Sequence, residues 1–236
     1  LDHGRLTEAA YGALFRLKEA GLVLVAVTGR PAGWGEILAR QWPVDGVVAE
    51  NGAVACTSAG GKLEVLDFAG NERPERARRL GEIVAGLRER FPALEPSDDV
   101  AARRSDFTFD IGEREHVTPE VVQAVRAAAR GLGARTIASS VHLHVTLDGL
   151  DKASGVTRFL ARRFGFDPTL CIFRAAFIGD SDNDEACFAA FRTTIAVANF
   201  ARHPTVAPRY VTNAPRGAGF AEAARIIAET RRPSTP

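Results

Sequence analysis

The 236 residues contain no methionine, two tryptophans, two tyrosines and three cysteines. The cysteines, Cys56, Cys171 and Cys187, are odd in number and widely spaced, without a C-x-x-C pair. They suggest neither a disulfide framework nor a zinc site, and fit reduced thiols in a cytoplasmic protein. Net charge is also nearly absent: 30 basic against 29 acidic residues leave +1. No overall field therefore gathers nucleic acid or anionic lipid, and any anion site has to be local. No long hydrophobic run occurs. The longest strongly apolar stretch, Leu22 to Val27, falls far short of the roughly 20 residues that cross a bilayer, and the first residues lack the layout of a signal peptide. Lysine is scarce: three of the 30 basic residues are lysines (Lys18, Lys62, Lys152), leaving 27 arginines, so a lysine inside a motif carries weight. The 46% apolar, 25% charged and 8% aromatic residues describe a folded chain of one large or two modest domains.

Along the chain, Thr7 to Ala20 has helical apolar spacing with Thr7 as N-cap and Gly21 past the end. Leu22 to Val27 reads as a strand buried on both faces, ending at Thr28-Gly29-Arg30-Pro31. A helix to about Gln41 follows, then a buried strand from Asp45 to Ala49, ending at Glu50-Asn51-Gly52, and two short strands around Gly60-Gly61. Strand, helix and strand in series predict parallel pairing. After Gly70 the texture changes. A charged helix spans Arg73 to Phe91, Ser105 to Ile111 alternates like a half-buried strand, a helix opens at Thr118-Pro119, and strands are expected at Arg135 to Ala138 and Val141 to Leu147. From Asp151 the first texture returns: a helix to Phe164, strands at Ala175 to Ile178 and Thr194 to Ala198, a helix between them from Asp184 to Phe191, and a terminal helix from about Ala218. The pattern is an α/β core, residues 1–70 and 149–236, interrupted by an α+β module, residues 71–148.

Chemistry concentrates where strands end, which is where open parallel sheets bind ligands. In Phe177 to Asp184, an apolar strand delivers Gly179, Asp180, Ser181, Asp182, Asn183 and Asp184. Three carboxylates within five residues repel one another unless a hard cation neutralises them, and oxygen donors without His or Cys suit Mg2+. An acidic turn capping the next helix would need only one such residue. Thr28-Gly29-Arg30 offers a hydroxyl, close backbone approach and free amides for an anion; a plain Thr-Gly turn before a proline-started helix is the competing explanation. Lys152 sits against the positive end of a helix, which suits a lysine only where negative charge offsets it.

A hydroxyl-glycine turn, then a lysine, then an acidic loop on one α/β core make up a phosphate-handling site. In this order they resemble the haloacid dehalogenase-like (HAD) hydrolase superfamily, in the IIB branch whose cap is inserted between the second and third motifs. Thr28 matches the second motif, Lys152 the third, and Gly179-Asp180 with Asn183-Asp184 the fourth. Glu50-Asn51-Gly52 resembles a turn common in that branch, and the module with Ser139-Ser140-Val141-His142 is similar to mannosyl-3-phosphoglycerate and sucrose-phosphate phosphatases. The resemblance implies a doubly wound, mostly parallel Rossmann-like core sheet with an inserted α+β cap. It also implies a Mg2+-dependent phosphatase acting on a small phosphorylated metabolite, a sugar phosphate or glycosyl-phosphoglycerate, through an aspartyl-phosphate. Thr28, Gly29 and Lys152 would bind phosphate, with Thr28 and Lys152 serving catalysis, and Asp180, Asn183 and Asp184 would hold the metal. Arg30, Glu50, Asn51, Gly52, Arg104, Ser139, Ser140 and His142 would contact substrate. His142 and His144 alternate onto one strand face, expected to point to substrate or solvent, whereas Arg103-Arg104 reads as a solvated pair. No nucleic-acid or membrane partner is implied, and the protein is expected as a monomer or homodimer.

The family's first motif, D-x-D-G-T, which carries the nucleophile and the acid-base aspartate, does not occur in this sequence. Asp2-His3-Gly4 has no aspartate two positions on. A preceding strand of about six to ten residues is therefore expected, without which the central position of the sheet stands unfilled. A phosphomannomutase-like transferase and a non-catalytic phosphosugar-binding protein are the alternatives.

Overall fold

The computed structural model describes residues 5–139, 141–200 and 205–231, with only the backbone at Asp182. Ser140 and Asp2-His3-Gly4 lie outside the described residues. Helix α1 (Glu8–Glu19) starts where Thr7 accepts the Ala10 amide on its hydroxyl at 3.3 Å and leads into strand β1 (Val25–Val27). After α2 (Ala32–Gln41), the fully buried β2 (Gly46–Ala49) pairs parallel with β1, Val25 opposite Gly46. Strands β3 (Val54–Ala59) and β4 (Lys62–Asp67) form an antiparallel hairpin through Gly60-Gly61, both glycines left-handed, and complete a sheet of order β1-β2-β3-β4. These two strands are longer than the sequence suggests, since the hairpin keeps its ladder to the turn.

The inserted unit comprises α3 (Arg73–Arg90), β5 (Asp106–Asp110), α4 (Pro119–Gly131), β6 (Arg135–Ala138) and β7 (His142–Thr146). Its antiparallel sheet has the order β5-β7-β6. Phe109, Leu143 and Val145 on one face join Leu80, Leu87 and Val125 of the helices in a core separate from those of the rest of the chain. Two strands of this sheet carry polar residues in register on the other face, with Asp106 opposite Thr146, Thr108 opposite His144 and Asp110 opposite His142. Arg73 ties the unit's two connections together, donating to Asp67 at 2.6 Å and to Asp148 at 2.8 Å.

The chain then returns to the core. Helix α5 (Lys152–Phe164), α6 (Pro168–Arg174), β8 (Ala176–Gly179), α7 (Glu185–Ala190), β9 (Thr193–Ala196), β10 (Tyr210–Val211) and α8 (Arg216–Arg231) follow, and α8 packs on α1. Strands β8, β9 and β10 form a parallel sheet. The mixed α/β class is as the sequence indicates. Two local expectations are corrected. The strand at Leu22 to Val27 is only three residues long and half-buried, because its free edge faces a cleft. Helix α6, with Asp167 capping and Pro168 in its first turn, fills a stretch that the sequence pattern leaves without an element.

That cleft separates the two core sheets: among the described residues β1 and β8 do not pair. A cavity of about 690 Å3 lies there, lined by Leu24 to Thr28 on one side and Phe177 to Asp180 on the other, with α1 and α8 beneath. Among the described residues no helix is long and apolar enough to cross a membrane.

Candidate active site

The ends of β1 and β8 converge at one end of this cavity, where Thr28, Arg30 and Asp180 line it. Strand β1 delivers Thr28, whose amide donates to Val48 at 2.9 Å and whose carbonyl accepts from Asn51 at 3.2 Å. The Thr28 hydroxyl oxygen accepts the Arg30 amide at 3.0 Å, so its single O–H is left to donate. Beside it, the Gly29 amide has no partner among the described residues.

Lys152 opens α5 directly after its N-cap Asp151, and is only 5% exposed. Its ammonium donates to Asp184 at 2.6 Å and to Asn183 at 2.8 Å, the negative charge that its position requires; one of its three N–H donors remains. Asp180 and Asp184, the two carboxylates that flank the β8 loop, have different occupations. Asp184 is buried, with one oxygen on Lys152 and the other accepting the Asp180 and Ser181 amides at 2.9 and 3.2 Å. A side chain at Gly179 would meet that carboxylate at 2.6 Å, so only glycine admits it. Asp180 is exposed and its carboxylate has no partner among the described residues.

The turn Glu50-Asn51-Gly52 joins these parts. Glu50 and Asn51 are both left-handed, with φ of 49° and 52°, a conformation that costs of order 1–2 kcal/mol per residue and persists only where surroundings enforce it. Gly52, φ 107°, lies so close to α5 that a side chain would come within 2.0 Å of the Asp151 carbonyl oxygen. Asn51 is 3% exposed; its oxygen accepts from Asn183 at 3.5 Å and lies against Gly29, while its buried Nδ2 has no partner among the described residues. Contacts thus run unbroken from Gly29 through Asn51 and Asn183 to Lys152 and Asp184.

Glu50 does not face a ligand. Its carboxylate accepts the Ala32 and Arg104 amides at 2.8 and 2.9 Å and the Ser105 amide at 2.6 Å, with the Ser105 hydroxyl alongside. Burial, aided by the nearby Asp106 charge, pushes its carboxyl above the usual range against those hydrogen bonds. It fastens the cap to the core. The Arg104 guanidinium turns outward to Glu36 on α2 at 2.8 Å, and the Ser139 hydroxyl is taken up by the turn, accepting the His142 amide at 3.0 Å.

The polar face of the cap sheet is likewise not presented to solvent. His142 and His144 are 3% and 2% exposed. His144 Nδ1 meets Asp106 at 2.7 Å, and His142 Nε2 meets Glu113 at 2.7 Å. Desolvation lowers the His142 pKa despite Glu113. Arg103, which the sequence suggests is solvated, has no exposed side-chain surface and sits between Asp99 and Asp106. An arginine three residues before a strand whose inward positions are acidic is the signal available for it. All three cysteines are buried; desolvation first raises the thiol pKa values, that of Cys56 to about 12.

An all-oxygen donor set suits a hard cation. Among the described residues, no three His, Cys, Asp or Glu side chains converge as a metal cage. Asp180 supplies one uncommitted carboxylate, which fits Mg2+, an ion usually held by one or two carboxylates with waters and substrate phosphate completing its shell. Asn183 and Asp184 are committed first to Lys152 and the loop amides.

No family model matches the chain. It is 30% identical over 222 residues to a phosphoglycolate phosphatase of Pyrobaculum neutrophilum, covering 94% of this chain and 87% of the relative. A phosphoglycolate phosphatase of Methanoculleus marisnigri is 24% identical, with 94% and 88% covered. Among solved structures, a Thermoplasma acidophilum protein superposes with TM-score 0.72 at 19% identity, covering 94% and 90%. A HAD subclass IIB sugar phosphatase gives 0.68 at 18%, covering 94% and 92%, and the sucrose-phosphatase of Synechocystis 0.65 at 16% with the same coverage. With the strand-end motifs and the inserted cap, these likenesses show that the chain belongs to the HAD superfamily of phosphoric monoester hydrolases.

Proposed function

We propose that this site hydrolyses a small phosphate monoester with Mg2+, and that the ester carries a second anionic group, as phosphoglycolate does. The observation that carries the reading is the set of donors left open where β1, the Asn51 turn and α5 meet. The Thr28 hydroxyl, the Gly29 amide, the buried Asn51 Nδ2 and the third N–H of Lys152 serve a phosphate's oxygens. Lys152 holds negative charge at the reacting group, and Asp184 keeps it and the loop in place. Mg2+ at Asp180 would offset charge on the phosphate. Arg30, next to this cradle, is part-exposed and held by Asp99 and Glu113 only at 3.3 Å each, so it is the cation for a substrate carboxylate. Sugar phosphates, including glycosyl-phosphoglycerates, are the second reading; likeness to sugar phosphatases supports it through the fold alone.

A reaction of this kind needs a nucleophilic carboxylate and an acid-base partner. The cleft between β1 and β8 is the place for a strand bearing them, since two strand edges face it. The polypeptide, with whatever its reading frame encodes before Leu1, is to be assayed for Mg2+-dependent release of inorganic phosphate from phosphoglycolate and sugar phosphates. Asp180→Asn should abolish turnover; unchanged activity overturns the assignment. Isomerised sugar phosphate in place of free phosphate would identify a mutase-like transferase, and a frame without D-x-D would leave binding alone.

A further inference from the structure

Arg103 precedes β5 in the cap, yet reaches the core. Its Nε and Nη2 donate to Asp99 at 3.1 and 3.0 Å, its Nη1 to Asp106 at 3.0 Å, and the same Nη1 to the Gly29 carbonyl at 3.0 Å. Two carboxylates, the buried Asp106 and the part-buried Asp99, offset its charge, as a buried guanidinium requires, so its contact with Gly29 is not needed for neutrality. That carbonyl belongs to the peptide whose N–H is that of Arg30. The N–H points to the Thr28 hydroxyl oxygen at 3.0 Å. The planar peptide is therefore gripped at both ends, by a cation on its oxygen and by Thr28 on its hydrogen.

We infer that Arg103 is a positioning residue for the Thr28 hydroxyl. A charge-assisted hydrogen bond to the carbonyl polarises the peptide and strengthens the N–H donor on its far side. Fixed in this way, the peptide occupies one acceptor position of the Thr28 oxygen and turns the hydroxyl proton away, towards a ligand oxygen. Docking of the cap and ordering of the phosphate cradle become one event: a cap that lifts takes the guanidinium from Gly29 and frees the peptide to rotate. The inference rests on the phosphatase reading of the Thr28 cradle.

The test is a double-mutant cycle on the affinity for inorganic phosphate, measured by calorimetry with Mg2+ on the same polypeptide that is assayed for phosphate release. Arg103→Lys keeps a cation between Asp99 and Asp106 but loses the planar fork that also reaches Gly29. It should weaken phosphate binding about tenfold with Thr28 present, and about tenfold again when it is introduced into the Thr28→Ser variant, which retains the hydroxyl. Introduced into Thr28→Val, it should change affinity less than about twofold. Equal losses in the threonine and valine backgrounds, or no loss in either, overturn the inference while leaving the phosphatase reading intact. Absence of phosphate binding in the unsubstituted chain, together with no phosphate release by the assayed polypeptide, overturns both. If Arg103→Lys does not fold, Arg103→Gln with Asp99→Asn removes one charge of each sign and enters the same cycle.

Discussion

The cap sheet and the strand ends of the core both crowd polar groups into little space, but they dispose of them differently. On the cap's polar face, Asp106, His144, Arg103 and Asp99 use one another, as do His142 and Glu113, and little is left over. At the core strand ends, the Asp180 carboxylate, the Thr28 hydroxyl proton and the Asn51 Nδ2 are unspent among the described residues. Buried polar groups are expensive unless paired, so a closed network is explained by holding the fold together, whereas an open one requires a ligand. By that criterion the cap histidines hold structure, and the strand ends are where the proposed substrate would bind.

Lys152 gives the sharpest test, since it belongs to both categories. Lys152→Met leaves Asp184 buried without its cation, and breaking such a pair costs roughly 3–5 kcal/mol. On the proposed reading it also removes a donor to the reacting phosphate, for which a loss of roughly a hundredfold to a thousandfold in kcat is expected. Adding Asp184→Asn should restore much of the melting temperature and none of the turnover. If turnover returns with stability, Lys152 acts only as scaffold and the comparison fails at its strongest point.

Acid separates the two regions next. Burial alone would raise the Asp106 pKa, but its hydrogen bond with His144 and the Arg103 guanidinium overcome this and hold it below the ordinary 3.8; Asp99 is held down against burial chiefly by Arg103. Carboxylates depressed in the folded state contribute stability that is complete above the ordinary value and is lost as pH falls through the lower folded values. The cap should therefore lose stability as pH falls below about 4, with an earlier contribution below 6.5 from His142, whose folded pKa is depressed. Urea unfolding against pH measures this. Asp106→Asn should flatten the steep acid limb; an unchanged limb would mean that the network carries no net stabilisation.

The strand-end chemistry is legible in the sequence because it is local. Gly179-Asp180 and Asn183-Asp184 follow directly on an apolar strand, and Lys152 stands out by scarcity. The alternation of Val141 to Val145 is legible as well, but not the direction of its polar side, because what covers His142 and His144 comes from Glu113 and Asp106, 29 and 38 residues away. Arg103 escapes a local reading for the same reason: its partners include Gly29, 74 residues distant. Nothing within a few residues of Glu50 shows that the Arg104 and Ser105 amides will claim its carboxylate. The hairpin pairing is readable at Gly60-Gly61 and the parallel pairing in the strand-helix-strand series before it, whereas the short helix α6 offers only its Asp167-Pro168 start.

The smallest effect belongs to Arg104, which sequence places at the substrate and which the structure turns to Glu36 on the outer surface. Its side chain is 49% exposed and that of Glu36 29%, and exposed pairs contribute about 0–1 kcal/mol. Its amide, which Glu50 does use, survives any substitution except proline. Arg104→Ala should therefore shift the melting temperature by a few degrees at most and leave the KM for phosphoglycolate within about twofold. Arg30→Ala makes the control, with a KM raised about tenfold or more if Arg30 meets the carboxylate. A larger rise for Arg104→Ala than for Arg30→Ala would mean that the guanidinium leaves Glu36 for the substrate, and that a surface pair can conceal a binding group.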